Sequence, residues 1–279
     1  MTTGARSSAG RVIPYALLIL ILLWTLVPVL WMLISSFKSL GDVLSPTPLL
    51  MFEPTLANYI SLVSGGNNVL TYFRSSLLAS GISTIIATSL GCLAGYGLAR
   101  SNFRAKKHLA FWIISTRMAP IAAVILPLFI GFTFLHLINT VWGLVVAYLS
   151  FNLPFAIWIM NAFFEDLPPG IEEAARVDGA SNFQTFWRIA LPMTAPGIVT
   201  TAILCLVFSW NDYAFAVTFA GPGSQTLPVA ASQLITQTGV DWGQLTAIGT
   251  VVALPMVLVG LAVRRYLVRG LTLGAVTGE

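Results

Sequence analysis

The chain has 279 residues, of which 57% are hydrophobic and only 9% are charged, and its mean hydropathy is +0.86. Soluble domains carry roughly 25% charged residues, so this composition excludes a water-soluble fold and indicates a polytopic membrane protein. The net charge of +4 does not indicate nucleic-acid binding, because the basic residues form neither a long run nor a cluster.

Six stretches are long and apolar enough to cross a bilayer, which requires roughly 20 mostly apolar residues. Four of them are uncharged intervals of 22 to 26 residues. A longer interval, 108–164, holds 57 residues with a single charge, Arg117, which suits two helices joined by a turn at His136, Asn139 and Thr140. We therefore predict an all-α polytopic fold. Its six transmembrane helices are expected at 13–35, 75–99, 109–135, 141–163, 194–219 and 245–263.

The first stretch follows Arg6 and Arg11, as the apolar region of a signal peptide does. Its apolar run is longer than the roughly 7–15 residues of such a region, and no small-residue cleavage site closes it. We therefore expect a retained membrane anchor.

The basic residues indicate the orientation, because cytoplasmic loops retain Lys and Arg. One set of alternate loops holds only Lys38 and Arg74, and Arg117 lies within a span. The other set holds Arg6, Arg11, Arg100, Arg104, Lys106, Lys107, Arg176, Arg188, Arg264, Arg265 and Arg269. This bias predicts that both termini are cytoplasmic, as tails at 1–12 and 264–279 around a transmembrane domain at 13–263. The external loops, 36–74 and 220–244, are too short for a substantial soluble domain.

Metal and nucleotide sites are not indicated. Cys92 and Cys205 lie far apart in apolar runs, with no nearby set of metal ligands, and are interpreted as packing residues. His108 and His136 lack an HExxH context, and no glycine-rich phosphate loop ending in Lys-Ser or Lys-Thr is present. We therefore expect no catalytic residue, metal or cofactor on this chain, and any ATP hydrolysis on another chain.

The second span contains a glycine pair at the spacing of a GxxxG motif. Its members are Gly91 and Gly95. Glycines at this spacing let two helix backbones approach closely, so we predict close helix packing here.

The 165–193 loop, between the fourth and fifth spans, carries the most information, because it begins with five of the ten acidic residues. Pro168 and Pro169 suit the entry of a helix, where a missing amide hydrogen costs nothing. Glu172 and Glu173 in the first turn complement the positive end of the helix dipole. A short helix is therefore predicted from about 170 to 177.

This short helix is expected to end at Asp178-Gly179, since glycine adopts the left-handed conformation that terminates helices. Ser181 and Gln184 then have the spacing of a capping box, which predicts a second helix. Its aromatic residues form one apolar stripe at i, i+3 and i+4; they are Phe183, Phe186 and Trp187. Two interpretations of this stripe stay open: it packs on the protein's own helices, or it docks into a cleft on a partner.

The loop also matches a known motif, EAA-x3-G-x9-I-x-LP, at every fixed position. The matching residues are Glu173, Ala174, Ala175, Gly179, Ile189, Leu191 and Pro192. In this loop the chain resembles the permease subunits of binding-protein-dependent ABC importers. It is similar to their carbohydrate-uptake branch, the maltose-type second permeases, over nearly its whole length. The segments that carry this wider resemblance are 115–120, 152–158, 209–212 and 269–276.

The resemblance implies a bacterial inner-membrane permease that forms half of the pathway for a carbohydrate or related polar solute. In that family the loop is similar to a coupling helix that sits in a groove of a cytoplasmic ATPase. Glu172, Asp178, Phe183 and Phe186 join the motif residues in this expected coupling site. The implied partners are a second homologous permease, two ATP-binding-cassette ATPases that hold ATP and Mg, and an extracytoplasmic solute-binding protein.

Arg117 and Asp212 are the ionisable residues within the predicted spans, which makes them functional candidates. Counting 1.5 Å per residue from the cytoplasmic side places Arg117 roughly 12 Å deep and Asp212 roughly 27 Å deep, so direct pairing is not expected. Three roles stay open for Arg117. It satisfies carbonyls near Pro120, bonds to the partner permease, or lines the solute pathway.

Asp212 belongs to an aromatic and polar patch with Trp210, Asn211 and Tyr213. Aromatic rings beside amide and carboxyl groups suit sugar binding, and they also suit anchoring at the membrane interface. Contact with the solute or with a docked receptor and interfacial anchoring therefore both stay open. The predicted solute-pathway residues are Arg117, Trp210, Asn211 and Asp212.

Two other functions are weighed against an importer. An ion-coupled secondary transporter would place carboxylates at the bilayer midplane, and none is predicted there. A membrane enzyme acting on lipids would need a metal or nucleophile cluster near one interface. The only acidic cluster, at 165–178, is explained by the coupling loop. Sugars, polyols and glycerol phosphate or its diesters all stay open as the solute.

Overall fold

A computed structural model describes the backbone of residues 8–65, 68–237 and 239–273 and the side chains of 14–65, 68–237 and 239–264. In chain order the helices are α1 (Ser8–Ser35), α2 (Leu40–Val43), α3 (Ala57–Ser64), α4 (Val69–Arg100), α5 (Lys106–Thr116), α6 (Ile121–Phe134), α7 (Val141–Glu165), α8 (Pro169–Val177), α9 (Asn182–Thr185), α10 (Leu191–Met193), α11 (Ala195–Trp210), α12 (Ala214–Phe219), α13 (Leu227–Gln233) and α14 (Trp242–Leu273). A π-helical turn, Phe186–Ala190, joins α9 to α10, and β1 (Ile235–Thr236) pairs antiparallel with β2 (Gly239–Val240).

Four of these helices are long and apolar enough to cross a membrane: α1, α4, α7 and α14. Two pairs of shorter helices meet the same test jointly, each with a sharp bend, so up to six crossings are present in the described residues. The first, second, fourth and sixth predicted spans are thus confirmed as helices. Helix α14 continues through Leu273 into the predicted tail, whereas residues 1–7 and 274–279 lie outside the described residues.

The third predicted span, 109–135, is wrong as a single helix. Helices α5 and α6 meet at 84° across residues 117–120. Pro120 is the N-cap of α6. A proline has no amide hydrogen to donate and disfavours helical geometry at the preceding residue, which explains the break.

The fifth predicted span, 194–219, is also interrupted. Helix α11 ends at Trp210, and three residues separate it from the start of α12 at Ala214. Asp212 accepts a hydrogen bond from the amide of Ala216 at 3.2 Å, so its side chain caps the new helix. An aspartate favours such a cap over a helix interior, because its side chain competes for backbone groups.

The turn between the third and fourth spans lies where the sequence predicts it. His136 and Asn139 have positive φ angles of 54° and 63°. Thr140 then caps α7 by accepting a hydrogen bond from the amide of Gly143 at 3.0 Å. Histidine and asparagine are among the residues that tolerate positive φ, and threonine is a preferred helix cap, so this sequence suits a tight turn.

The chain forms two compact units, residues 1–68 with 233–253, and residues 69–232 with 254–279. In the first unit, Asn58 holds the segment that follows α1. Its side-chain amide donates to the carbonyls of Ser36 and Lys38, both at 2.9 Å. The polypeptide after α1 is thereby fixed to α3.

The second unit is built on the packing of α4, α7 and α11. A Cβ added at Gly91 would lie 2.7 Å from Cβ of Ala156, and one added at Gly95 would lie 2.8 Å from the amide nitrogen of Asn161. Only glycine allows this approach of α4 to α7, which confirms the predicted close packing.

Polar contacts join the same helices inside the membrane region. Asn152 of α7 is buried, and its side-chain amide donates to Oγ of Ser209 at 2.6 Å and to the carbonyl of Cys205 at 3.3 Å. Cys92 and Cys205 are buried free thiols, as expected of packing residues.

Candidate functional site

The first short helix of the 165–193 loop lies where the sequence predicts it. Helix α8 has Pro169 at its entry and Asp178 as its C-cap. Gly179 has a φ of +89°, and the amide of Ala180 returns to the carbonyl of Ala175 at 2.9 Å. The left-handed glycine therefore ends the helix as predicted.

The predicted capping box is also present, since Ser181 accepts from the amide of Gln184 at 3.3 Å and Gln184 accepts from the amide of Ser181 at 2.9 Å. The second helix then departs from regular α geometry in the π-helical turn. Beyond Thr194 the chain bends by 73° into α11. The loop is thus one ordered element that leads directly into the fifth crossing.

The predicted aromatic stripe is present, since the ring of Trp187 lies 6.1 Å from that of Phe183 and 5.4 Å from that of Phe186, but the second helix turns one edge of it inward. Phe186 is 5% exposed, and its ring lies 4.9 Å from that of Tyr96 and 6.2 Å from that of Phe164. Phe183 and Trp187 remain 70% and 49% exposed. The buried side of the helix is centred between Thr185 and Ala190, about a quarter turn or more from Phe183 and Trp187.

Glu172 is turned toward the protein's own helices, which corrects its assignment to a surface for a partner. Its side chain is 3% exposed and pairs with Arg100, whose Nη2 lies 2.6 Å and whose Nε lies 2.9 Å from Oε1. Tyr96 donates its hydroxyl to Oε2 at 2.9 Å. The guanidinium, which donates twice to Oε1, and the phenol, which donates to Oε2, together satisfy both carboxylate oxygens.

The pKa of Glu172 reflects two opposing effects. Burial by itself raises it, but the hydrogen bonds from Arg100 and Tyr96 and the positive charge of Arg100 outweigh burial, and the pKa lies below its ordinary value of 4.5. The carboxylate is therefore charged at neutral pH. Sequence reasoning missed both partners, although their spacing of four places them on one face of α4.

The remaining motif residues of the loop stay accessible. Glu173, Ala174, Asp178, Gly179, Phe183 and Pro192 are exposed, and Ala175, Ile189 and Leu191 are half-buried. Glu172 and Phe186 thus anchor the loop, while its other predicted coupling residues face outward or lie at its edge.

A second candidate site is a cavity of about 280 Å³ in the second unit. It lies at the helix breaks 117–120 and 211–213. It is lined by Thr116, Arg117, Ala119, Ile121, Val124, Ser150, Phe151, Phe208, Asp212 and Phe215. Each break exposes backbone and polar groups that a continuous helix would conceal, so the lining mixes aromatic faces with polar side chains.

The guanidinium of Arg117 lies against two rings, 4.2 Å from the centre of Phe155 and 4.3 Å from the centre of Phe208. Guanidinium groups stack favourably on aromatic faces. Within the described residues the ion pairs are Arg100–Glu172 and Lys106–Glu165, so Arg117 and Asp212 do not pair, as predicted. They nevertheless line one cavity, which a count of depth along straight helices does not predict.

Two other predicted pathway residues are placed differently. Trp210 is 2% exposed and packs edge-on against Phe73, with ring centres 5.9 Å apart, so its ring belongs to the helix packing. Asn211 is exposed and donates to the carbonyl of Val207 at 2.8 Å. Neither residue lines the cavity, although both directly precede Asp212 in the chain.

Comparison with known proteins decides the family. Residues 87–273 match the model of the family described as binding-protein-dependent transport system inner membrane component. The chain belongs to this family. It is therefore a transport component, and the ion-coupled secondary transporter is wrong as an alternative.

The permease is similar over nearly its whole length to curated relatives. It is 35% identical over 262 residues to the trehalose transport system permease protein SugB of Mycobacterium tuberculosis, covering 91% of this chain and 93% of that protein. It is 30% identical over 264 residues to the trehalose/maltose transport system permease protein MalG of Thermococcus litoralis, covering 94% and 95%.

The fold of the permease is similar to that of a bacterial ABC transporter involved in the import of the acidic polysaccharide alginate. The TM-score is 0.79 with 22% sequence identity, and the match covers 95% of this chain and 99% of that chain. This likeness confirms the helical permease fold.

Proposed function

We propose that this permease forms half of the translocation pathway of an ATP-binding-cassette importer for a di- or oligosaccharide, and that its 165–193 loop docks on an ATPase. The observation that carries the proposal is the exposed aromatic pair Phe183 and Trp187, whose ring centres lie 6.1 Å apart. Exposed aromatic residues on an ordered, capped element are typical anchors of a protein interface. The exposed motif residues surround this pair.

The partners follow from the same assignment. Two ATP-binding-cassette subunits hold ATP and Mg, since this sequence has no phosphate loop. A second homologous permease supplies the other half of the pathway, and an extracytoplasmic binding protein delivers the solute. The excess of basic residues on one set of loops supports a cytoplasmic position for both termini and for the docking loop.

The cavity supports a carbohydrate as the solute. Phe151, Phe208 and Phe215 offer aromatic faces, and Arg117 and Asp212 offer a hydrogen-bond donor and an acceptor that do not pair with each other. Sugars are bound by such combinations of ring faces and charged hydrogen-bonding groups. The relatives known as trehalose and trehalose/maltose transport permeases support the same class.

The docking proposal is tested by replacing both exposed rings, Phe183→Ser with Trp187→Ser. We expect the ATPase to be lost from the complex purified from membranes, while the permease is still inserted. Phe103→Ser is the matched control, because Phe103 is a 43% exposed ring on a loop of the same predicted side. Full retention of the ATPase by the double variant would contradict docking through this surface.

The pathway proposal is tested in proteoliposomes that contain the whole importer and its binding protein. We expect Arg117→Gln and Asp212→Asn to slow uptake of labelled trehalose or maltose at least tenfold while the ATPase still co-purifies. Lys107→Gln is the control for loss of a cation outside the cavity. Unchanged uptake in both cavity variants would exclude this cavity from the pathway, and ATP binding by the isolated permease would contradict the assignment of nucleotide to the partner.

A further inference from the structure

Lys38 is a buried cation that no part of the proposed transport mechanism uses. It lies three residues beyond the end of α1, and only 1% of its surface is exposed. Its Nζ lies 4.1 Å from the centre of the Trp31 ring and 5.3 Å from that of Phe52. Throughout the described ranges, no carboxylate forms an ion pair with this ammonium group.

A buried ammonium group without an anionic partner is costly, and contacts with two aromatic faces offset only part of that cost. Lysines near the ends of transmembrane helices ordinarily extend toward water. Lys38 instead turns inward, which indicates a site for an anionic group.

The space beside Lys38 is a cavity of about 450 Å³ within the first unit. This volume lies within the range of ligand pockets. Its polar lining includes Asp42, Ser45 and Thr47, and its aromatic lining includes Trp31 and Trp242. The Asp42 carboxylate accepts a hydrogen bond from Oγ of Ser39 at 2.6 Å and does not pair with Lys38. One cavity therefore holds a separate cation and a separate anion.

The position of the cavity indicates the membrane surface. Helix α1 is apolar over Pro14–Ser35, a length that spans a bilayer, and Lys38 follows directly after it. Trp31 and Trp242 are 39% and 47% exposed. Tryptophans concentrate at the depth of the lipid headgroups, so the cavity lies where a headgroup is available.

We propose that this cavity binds the headgroup of a zwitterionic phospholipid, with the phosphate at Lys38 and the ammonium group at Asp42. A phosphate supplies the anion that the buried lysine lacks. The positively charged ammonium group of an ethanolamine headgroup complements the carboxylate of Asp42. This cavity shares no lining residue with the cavity of Arg117 and Asp212.

The test uses the whole delipidated importer in detergent and measures lipid binding by native mass spectrometry. We expect one phosphatidylethanolamine per copy of this permease at the site, and at least a tenfold weaker binding after Lys38→Gln. Asp42→Asn is expected to remove the preference for phosphatidylethanolamine over phosphatidylglycerol. Arg74→Gln, which removes an exposed cation of the same predicted face, is expected to change neither.

Equal binding by the wild type and Lys38→Gln would overturn the proposal. Full displacement of the lipid by millimolar phosphoethanolamine or inorganic phosphate would show a site for a free anion and overturn the lipid assignment. Should Lys38→Gln fail to assemble, a photoactivatable phosphatidylethanolamine tests the wild-type importer. Its cross-links should map to Leu44 and Trp242, which line the cavity, and cross-links that avoid both segments would overturn the proposal.

Discussion

Arg100, the last residue of α4, holds the carboxylate of Glu172 in the first turn of α8 through two hydrogen bonds of 2.6 and 2.9 Å. The 165–193 loop is thereby fixed to the end of a membrane-spanning helix by a buried ion pair. The exposed ring pair beyond it can then transmit a displacement to the helices instead of moving alone.

Breaking this pair should damage both stability and coupling. We expect Arg100→Gln to destabilise the permease by about 3–5 kcal/mol, because it leaves the Glu172 carboxylate buried without its cation. Lys106→Gln is the matched control, since the Lys106–Glu165 pair, at 2.9 Å, is partly exposed and should contribute no more than about 1 kcal/mol. Melting temperatures in detergent and solute-stimulated ATP hydrolysis measure both effects. Equal losses of melting temperature and of ATP hydrolysis in the two variants would contradict a larger contribution from the buried pair.

The stability conferred by Glu172 should depend on pH in one direction only. Because its pKa lies below the ordinary value of 4.5, its stabilising effect is complete above that value and is lost as the pH falls through the lower, folded-state pKa. The difference in melting temperature between wild type and Glu172→Gln should therefore be constant from about pH 7 to pH 5 and shrink below about 4.5. A difference that already shrinks near pH 6 would show a raised pKa.

Substitutions at Gly179 should act through the backbone conformation and not through steric contact. A Cβ at this position would meet nothing within 4 Å, so a side chain fits, but the φ of +89° is costly for a residue with a side chain. We expect Gly179→Val to reduce ATPase-coupled uptake strongly and Gly179→Asn to retain most of it, since asparagine tolerates left-handed geometry that costs other residues about 1–2 kcal/mol. Equal uptake by the two variants would contradict this reasoning.

Replacing two glycines of α4 by alanine should change the stability of the permease differently. Gly91→Ala places a Cβ 2.7 Å from that of Ala156 and should destabilise the permease by about 1–3 kcal/mol. Gly97→Ala meets nothing within 4 Å and should be neutral or stabilising by up to about 1 kcal/mol, because alanine favours a helix. Thermal unfolding of both variants in one detergent gives the comparison. A loss of thermal stability in Gly97→Ala would show that helix propensity does not determine the effect at this position.

The described fold shows what a single sequence can and cannot predict. The crossings followed from uncharged intervals, and α8, Gly179 and the capping box followed from local backbone chemistry, which acts over a few residues. The partner of Glu172 lies 72 residues away, and no local pattern encodes that contact.

The helix breaks at 117–120 and 211–213 are a different kind of omission. Pro120 was available as a local signal, but hydropathy treats 109–135 as one apolar run and does not register the lost hydrogen bond. The shared cavity of Arg117 and Asp212 follows from these breaks, so it could not be predicted while both spans were taken as straight.

Because of the 73° bend before α11, a small rotation of the 165–193 loop about Thr194 would move the far end of α11 sideways. Thr194 is buried at the corner, and its hydroxyl donates to the carbonyls of Ala190 and Leu191 at 3.0 and 3.2 Å, so the corner is braced. The 16 residues of α11 form an arm about 24 Å long, and Asp212 follows at its far end. A swing of only about 5° at the corner would carry that end by about 2 Å, a displacement comparable to the size of a hydroxyl group. Under the proposed docking, a small turn of the 165–193 loop is therefore enough to reshape the cavity wall without any helix unfolding.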